Sequence, residues 1–195
     1  MSSAEYWEQR YRSGRTSGRG SYGKLAEFKA EVINRLVREN KIRSVLDLGC
    51  GDGNQLGLFQ IPVYTGLDVS EEAVRVCSEK YKGDPTKTFQ VVQHPDYRVG
   101  SAELTLSLDV IFHLVEDEVY LAYMEALFRC ARRFVAIYSS NFEKWFSTYE
   151  RQRKFTDHVE TVFPEWRLAE KVENPWPMSK HSNGSLADFY IYVRS

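Results

Sequence analysis

The sequence is poor in cysteine: Cys50, Cys77 and Cys130 are its only three, far apart in a chain of 195 residues. With no C-x-x-C pair, neither a disulfide framework nor a zinc site is indicated, which fits a reducing, cytoplasmic setting. The N-terminus lacks an apolar signal core, and no apolar run approaches the roughly 20 residues of a membrane span. Excess charge of one sign is missing as well: 26 Lys and Arg stand against 27 Asp and Glu, a net charge of −1. Nothing global therefore pulls the chain toward nucleic acid or membrane. Repeats and low-complexity tracts are absent. What remains is ordinary for a globule, with 43% apolar and 27% charged residues, and the length suits one domain over 1–195.

One stretch organises the rest: Val45-Leu46-Asp47-Leu48-Gly49-Cys50-Gly51-Asp52-Gly53-Asn54. It starts as a short apolar run, the pattern of a buried parallel strand. It ends in alternate glycines, which let the backbone turn sharply and let a ligand approach it. A dinucleotide fingerprint needs a glycine where Asn54 falls. Asp47, just before the first glycine, would repel a pyrophosphate and attract an ammonium. A second acid, Asp68, ends the run Val63-Tyr64-Thr65-Gly66-Leu67-Asp68, about 20 residues on, where a ribose-binding acid is expected.

On these residues the segment resembles the cofactor-binding core of class I S-adenosylmethionine (SAM) dependent methyltransferases. Leu106-Ser107-Leu108-Asp109-Val110-Ile111-Phe112-His113-Leu114 resembles the fourth-strand segment of that superfamily. The resemblance covers roughly residues 40 to 140 and implies an α/β, Rossmann-like fold. The sheet would have seven mostly parallel strands with helices on both faces, and the last strand antiparallel beside the fifth. It implies SAM as cofactor, held by Asp47, Gly49, Cys50, Gly51, Asp68, Val69, Leu108 and Asp109. The flanks, Tyr6 to Tyr11 and Gly20 to Gly23, look like a small bacterial-type subgroup, and His94 and Asp96 fall where the adenine edge is expected. Trp7 and Tyr11 would belong to a lid over the cofactor.

Taken in order, residues 4–12 place Tyr6 with Arg10 and Trp7 with Tyr11 at helical spacing. The plainer reading is a surface helix docking its aromatics; the functional one is the lid. Glycines and serines over 13–23 mark a loop carrying Arg15 and Arg19, with Arg12 at its start. Leu25, Phe28, Val32, Ile33, Leu36 and Val37 predict an amphipathic helix over 24–40. Strands are expected at 44–48, from Pro62 to Asp68, at 88–92 and at 104–108. Ser70 can cap the next helix, whose inner face is Ala73, Val74, Cys77 and Tyr81. A helix is expected over 116–132, opened by Glu116, Asp117 and Glu118 and closed by Arg132 and Arg133. Strand five is Phe134 to Tyr138. Residues 139–164, aromatic and basic, predict a helical insertion of two pieces before strand six at about 166–172. The terminal strand runs from Ala187 to Val193.

Methyl transfer from a sulfonium is an in-line displacement in which approach, orientation and exclusion of water carry much of the catalysis. His113, past strand four at the edge where open α/β sheets bind ligands, is the candidate base. Packing beneath the cofactor is its plainer role. Tyr22, Asn141, Arg151 and Arg153 are candidate acceptor contacts, with Lys24 and His181 beside them. Surface and packing roles compete for each. The basic run from Arg151 to Lys154, with Arg12, Arg15 and Arg19, suggests an anionic acceptor. The reading is a SAM-dependent methyltransferase acting on a hydroxyl or amine of a small molecule, as monomer or homodimer, without metal, nucleic acid or membrane partners. Its rivals are a protein or RNA methyltransferase, a noncatalytic SAM-binding subunit and an NAD-binding oxidoreductase, the last opposed by Asp47 and Asn54.

Overall fold

The computed structural model describes residues 1–93, 97 and 99–195. In chain order come helix α1 (Ser3–Arg12), α2 (Gly23–Asn40), strand β1 (Ser44–Leu48), β2 (Val63–Asp68), α3 (Glu71–Lys80), β3 (Lys87–Val91) and β4 (Ala102–Leu108). Then follow α4 (Asp117–Arg129), β5 (Ala131–Ser139), β6 (Lys144–Ser147), β7 (Glu150–Gln152), α5 (Phe155–Val162), β8 (Trp166–Val172) and β9 (Asp188–Arg194). Short 3-10 turns occupy Arg19–Ser21, Gln55–Leu58 and Ile111–His113.

Seven strands form one sheet in the order β3-β2-β1-β4-β5-β9-β8. The pairs among β3, β2, β1, β4 and β5 are parallel. β9 runs antiparallel between β5 and β8. The α/β fold expected from the resemblance, last strand included, is the one observed. The chain leaves β1 toward β2 and β3, then returns to the other side as β4. That reversal opens a crevice at the carboxyl ends of β1 and β4, where open α/β sheets bind ligands.

Strand side chains alternate between faces, and each face carries its own core. Leu46, Val135, Ile137, Tyr190 and Tyr192 face α4 and α5, packing on Tyr123, Met124, Leu127, Phe128, Phe155 and Val159. Val45, Tyr64, Leu104, Leu106, Ala136, Phe189 and Ile191 face α2, against Val32, Ile33, Leu36 and Val37. The apolar stripe predicted for 24–40 is thus the buried side of α2. Phe128 stacks on Phe163 at 4.4 Å and meets Trp166 edge-on at 5.5 Å. Truncating it to alanine would cost about 3–5 kcal/mol.

Local signals explain the helix ends. Ser70 Oγ accepts from Ala73 N at 3.1 Å, with Glu71 and Glu72 in the first turn of α3. α2 stops at Asn40 because Lys41 adopts the left-handed conformation, φ 53°.

Two expectations are corrected. Arg132 and Arg133 do not close α4, which ends at Arg129, because Ala131 already pairs with Ala102 of β4. Arg133 instead reaches Glu103 at 3.0 Å. Residues 139–164 are not two helical pieces: β6 and β7 form an antiparallel hairpin, and only α5 is helical. Trp145 and Phe146 favour extended backbone, and Trp145 stands opposite Arg151 across the hairpin.

Candidate active site

The glycine turn after β1 is fastened to β2. Gly49 N and Cys50 N both donate to Leu67 O, at 2.7 and 2.9 Å. Gly49 sits at φ +95°, and a Cβ there would lie 2.5 Å from Val110 Cγ2. The packed loop after β4 by itself requires a glycine here, and Gly49 also lines the cavity. Gly51, at φ +60°, has Ser17 Oγ 2.3 Å from where a Cβ would fall. Gly51 N donates to Asp68 Oδ2 and Ser70 N to Asp68 Oδ1, each at 2.9 Å. Asp68 therefore braces the turn as well as facing the cavity.

Asp47 and Asp68 are both buried at the tips of neighbouring strands. Asp47 Oδ2 accepts from Tyr64 OH at 2.6 Å, whereas the buried Oδ1 has no hydrogen-bond partner among the described residues. Burial pushes the Asp47 carboxyl up to about 6, against the hydrogen bond from Tyr64 and the charge of Lys29. Burial likewise pushes Asp68 up to about 6, opposed by the amides of Ser70 and Gly51. Burial acts the same way on Asp52, but donors from Ser17, Tyr22 and Asn54 hold it below the ordinary carboxylate range.

The N-terminal arm closes the crevice. Ser2 caps α1 in a capping box with Glu5. Ser3 donates through N and Oγ to the Glu116 carboxylate at 2.8 and 2.7 Å. Glu8 accepts from Ser70 Oγ at 2.5 Å. Tyr6 stacks on Tyr149 of the hairpin at 4.5 Å. Behind α1, Ser17 N donates to Asp52 Oδ2 at 2.9 Å, and Asp52 N donates back to Ser17 Oγ at 3.0 Å. The result is a cavity of about 440 Å³, in the range of small-molecule sites. Trp7 and Tyr11 wall it from the arm; Asp47, Gly49, Cys50, Gly51, Asp68 and Val69 from β1 and β2; Leu108, Asp109 and His113 from β4.

His113 Nδ1 lies 3.3 Å from Tyr149 O, and its ring meets Trp7 edge-on at 4.9 Å. A carbonyl can only accept, so Nδ1 carries the proton and Nε2 keeps its lone pair. Burial lowers the His113 pKa, so the ring is neutral near pH 7. Asp109 holds φ +61°, unusual for a residue with a Cβ. Its Oδ2 is hydrogen-bonded by the fully buried Lys29 of α2, and Gly20 lies so close that a Cβ would fall 2.6 Å from it.

The other sequence-based candidates fall outside the cavity lining. Tyr22 OH donates to Asp52 Oδ2 at 2.8 Å. Asn141 pairs with Thr156, its Nδ2 2.9 Å from Oγ1. Arg151 and Arg153 both bind Asp117 Oδ1 at 2.7 Å. Arg12 pairs with Glu8 at 2.5 Å, Arg15 Nε donates to Ser13 Oγ, and Arg19 donates to Asn183. Lys24 sits 4.2 Å over the Trp176 ring, which His181 meets edge-on. His94 and Asp96 lie outside the described residues. Conversely, Tyr123 lines the cavity and fastens β1 to β4, its OH 2.8 Å from Leu48 O and from Ser107 Oγ. In the sequence it is one apolar position of an amphipathic helix like its neighbours. Ser17 and Gln55 also line the cavity, and no sequence signal separates them from surface residues.

The donor set suits SAM. The partnerless Asp47 oxygen matches an ammonium, and Asp68 keeps lone pairs for ribose hydroxyls. Among the described residues no lysine or arginine lines the cavity to oppose a cation.

Residues 45–133 match the family model described as a methyltransferase domain. Over 88 residues the chain is 31% identical to tRNA (carboxymethyluridine(34)-5-O)-methyltransferase of Arabidopsis thaliana, covering 45% of this chain and 21% of that protein. The chain spans less than half the length of the curated relatives it matches. Among solved structures, N-methyltransferase NodS from Bradyrhizobium japonicum, in complex with S-adenosylhomocysteine, superposes with a TM-score of 0.78 at 10% identity, over 100% of this chain and 99% of that one. Magnesium protoporphyrin IX methyltransferase ChlM from Synechocystis, with bound SAH, gives 0.71 at 18% identity over 98% of each chain. Residues 45–133 thus carry a methyltransferase-domain match, and the chain as a whole has the fold of SAM- and SAH-bound methyltransferases.

Proposed function

We propose that this chain is an enzyme that transfers the methyl group of SAM to a hydroxyl or amine of a small-molecule acceptor. The observation that carries the reading is the pair Asp47 and Asp68, buried side by side at the strand tips, one with an oxygen that no described protein donor satisfies. In this reading Asp47 Oδ1 takes the ammonium, directly or through water, and Asp68 takes the ribose hydroxyls. The seven-stranded sheet draws on residues 44–194, beyond the matched stretch, which supports reading the chain as one domain.

SAM supplies an electrophilic methyl on a sulfonium. The chain's part is to hold the acceptor in line and keep water out. Trp7 and Tyr11 serve the second task from the arm. His113 serves the first: its Nε2 lone pair takes the proton that a hydroxyl or ammonium acceptor must lose.

A nucleic-acid acceptor is the second reading, favoured by the tRNA methyltransferase that the core resembles. The first test is thermal: S-adenosylhomocysteine should raise the melting temperature and NAD should not. The second is transfer of labelled methyl to a metabolite panel, to bulk tRNA and to a protein lysate. Label entering only tRNA or protein overturns the small-molecule reading. Ligand binding without label in any fraction overturns the enzyme.

A further inference from the structure

Resting on that reading, we infer that Arg10 is a specificity-determining residue that holds an anionic group, a carboxylate or phosphate, of the methyl acceptor at the cavity rim. Its guanidinium carbon lies 5.5 Å from the centroid of the Trp7 ring. Its Nε donates to Thr16 O at 2.8 Å. Trp7 and Ser17, which flank these contacts, both line the cavity. The side chain is thus fixed from two directions, half-buried, beside the ring that touches His113.

What separates Arg10 from its neighbours is the combination of half-burial with the lack of a counter-charge among the described residues. Arg12 pairs with Glu8, and Arg151 and Arg153 with Asp117, whereas Arg15 and Arg19 are exposed and meet only the neutral Ser13 and Asn183. Among the described residues no carboxylate lies within ion-pair distance of Arg10, and no acceptor is in place for its terminal nitrogens. A half-buried guanidinium with Nε satisfied and its two terminal nitrogens open presents the fork that binds carboxylate or phosphate.

The cavity's charge is also divided. Asp47, Asp52 and Asp68 gather at the β1 and β2 tips, where the cofactor belongs. Arg10, Trp7 and His113 stand together on the arm side. An anion would be repelled from the first group and drawn to the second. The Arg10 charge reaches His113 and helps keep its ring neutral, and an anion on Arg10 would offset that effect.

The test uses the full chain loaded with S-adenosylhomocysteine, with benzoate and inorganic phosphate as probes. Saturable loading of wild type establishes the cofactor site; its failure would overturn the proposed function itself. With the site loaded, the anions should move the Arg10 Nε–H signal in nitrogen-edited NMR spectra, and Arg10→Gln should weaken their binding roughly tenfold, as expected for a lost charge-assisted bond. Arg10→Lys should recover part of the affinity. S-adenosylhomocysteine affinity should stay within a factor of two or so in both variants. Tighter benzoate assigns the site to carboxylates, and tighter phosphate to phosphoryl groups. In turnover, Arg10→Gln should raise KM for a charged acceptor with kcat nearly kept, and leave its methyl ester or amide unaffected. Equal anion binding by wild type and Arg10→Gln, or no movement of the Arg10 signal, overturns the assignment.

Discussion

Tyr64 on β2 donates a 2.6 Å hydrogen bond to one oxygen of Asp47 on β1, and the other oxygen, buried, has no donor among the described residues. A carboxylate so placed is only half-solvated by the protein, which is why burial wins and its pKa rises to about 6. Asp68 is raised to the same value. Unfolded aspartates titrate near ~3.9. Between these values the ligand-free folded protein holds more protons than the unfolded chain, so these two groups lower stability as pH rises toward 6, and the loss is complete above it. Binding should run the other way, because an ammonium and ribose hydroxyls favour the ionised carboxylates. S-adenosylhomocysteine affinity should therefore climb from pH 5 to 7, with protons released near pH 6. Calorimetry in buffers of different ionisation enthalpy measures that release. Asp47→Asn should diminish it, and Tyr64→Phe should move the affinity midpoint to higher pH. A flat profile would remove both aspartates from the ligand.

His113→Asn should cut turnover with little change in cofactor affinity, since the amide can keep the contact to Tyr149 O but cannot take a proton. The wild-type rate should lose activity on the acid side, with an apparent pKa below the ordinary imidazole value of 6.5. A full rate with a lowered melting temperature would assign His113 to packing against Trp7 and Phe112, which its ring contacts at 4.9 and 4.6 Å.

Gly51→Ala should destabilise the protein by about 1–3 kcal/mol, through positive φ and a Cβ driven against Ser17 and Tyr11. Ser17→Gly in the same chain should recover part of the loss, because it removes the 2.3 Å clash but not the backbone strain. Denaturant midpoints separate the two contributions. No recovery would mean that the arm does not pack on the glycine turn in solution.

The cofactor side of this cavity was legible because its residues are local in sequence. A short apolar run, a glycine turn and an acid at each strand tip lie within residues 45–68, and strand geometry brings Asp47 and Asp68 together without further information. The order of the elements was legible for a similar reason: alternating strand and helix patterns leave few topologies. The acceptor side was not. It depends on how a remote arm docks, and Ser3 meets Glu116 across 113 residues. No periodicity encodes that contact. The basic run at Arg151 misled for a physical reason. A charge pattern does not reveal whether a counter-ion waits in the fold, and Asp117 takes up both Arg151 and Arg153. The same fact makes Arg10, inconspicuous in sequence, stand out in the structure.

The arm itself supplies the last prediction. Its helix is short, and a ten-residue helix is marginal in water without tertiary support. Its support is a set of separable contacts: Ser3 on Glu116, Glu8 on Ser70 Oγ, Tyr6 on Tyr149 and Ser17 on Asp52. None belongs to the sheet, so the arm can leave while the core persists. Beneath it lies the cavity, so a ligand there gains contacts only when the arm is down. Ligand binding and arm closure are then coupled, and each must favour the other. Deleting residues 1–19 should leave a folded core that binds S-adenosylhomocysteine poorly and transfers no methyl group. In the intact chain, protease should cut between Gly14 and Gly20, and saturating S-adenosylhomocysteine should slow the cut. Glu8→Gln weakens one tether without touching the cavity lining, so it should speed cleavage of the free protein and narrow the protection by ligand. Equal cutting with and without ligand would make the segment a tail that happens to lie over the cavity, and would leave Trp7 and Tyr11 without a role in excluding water.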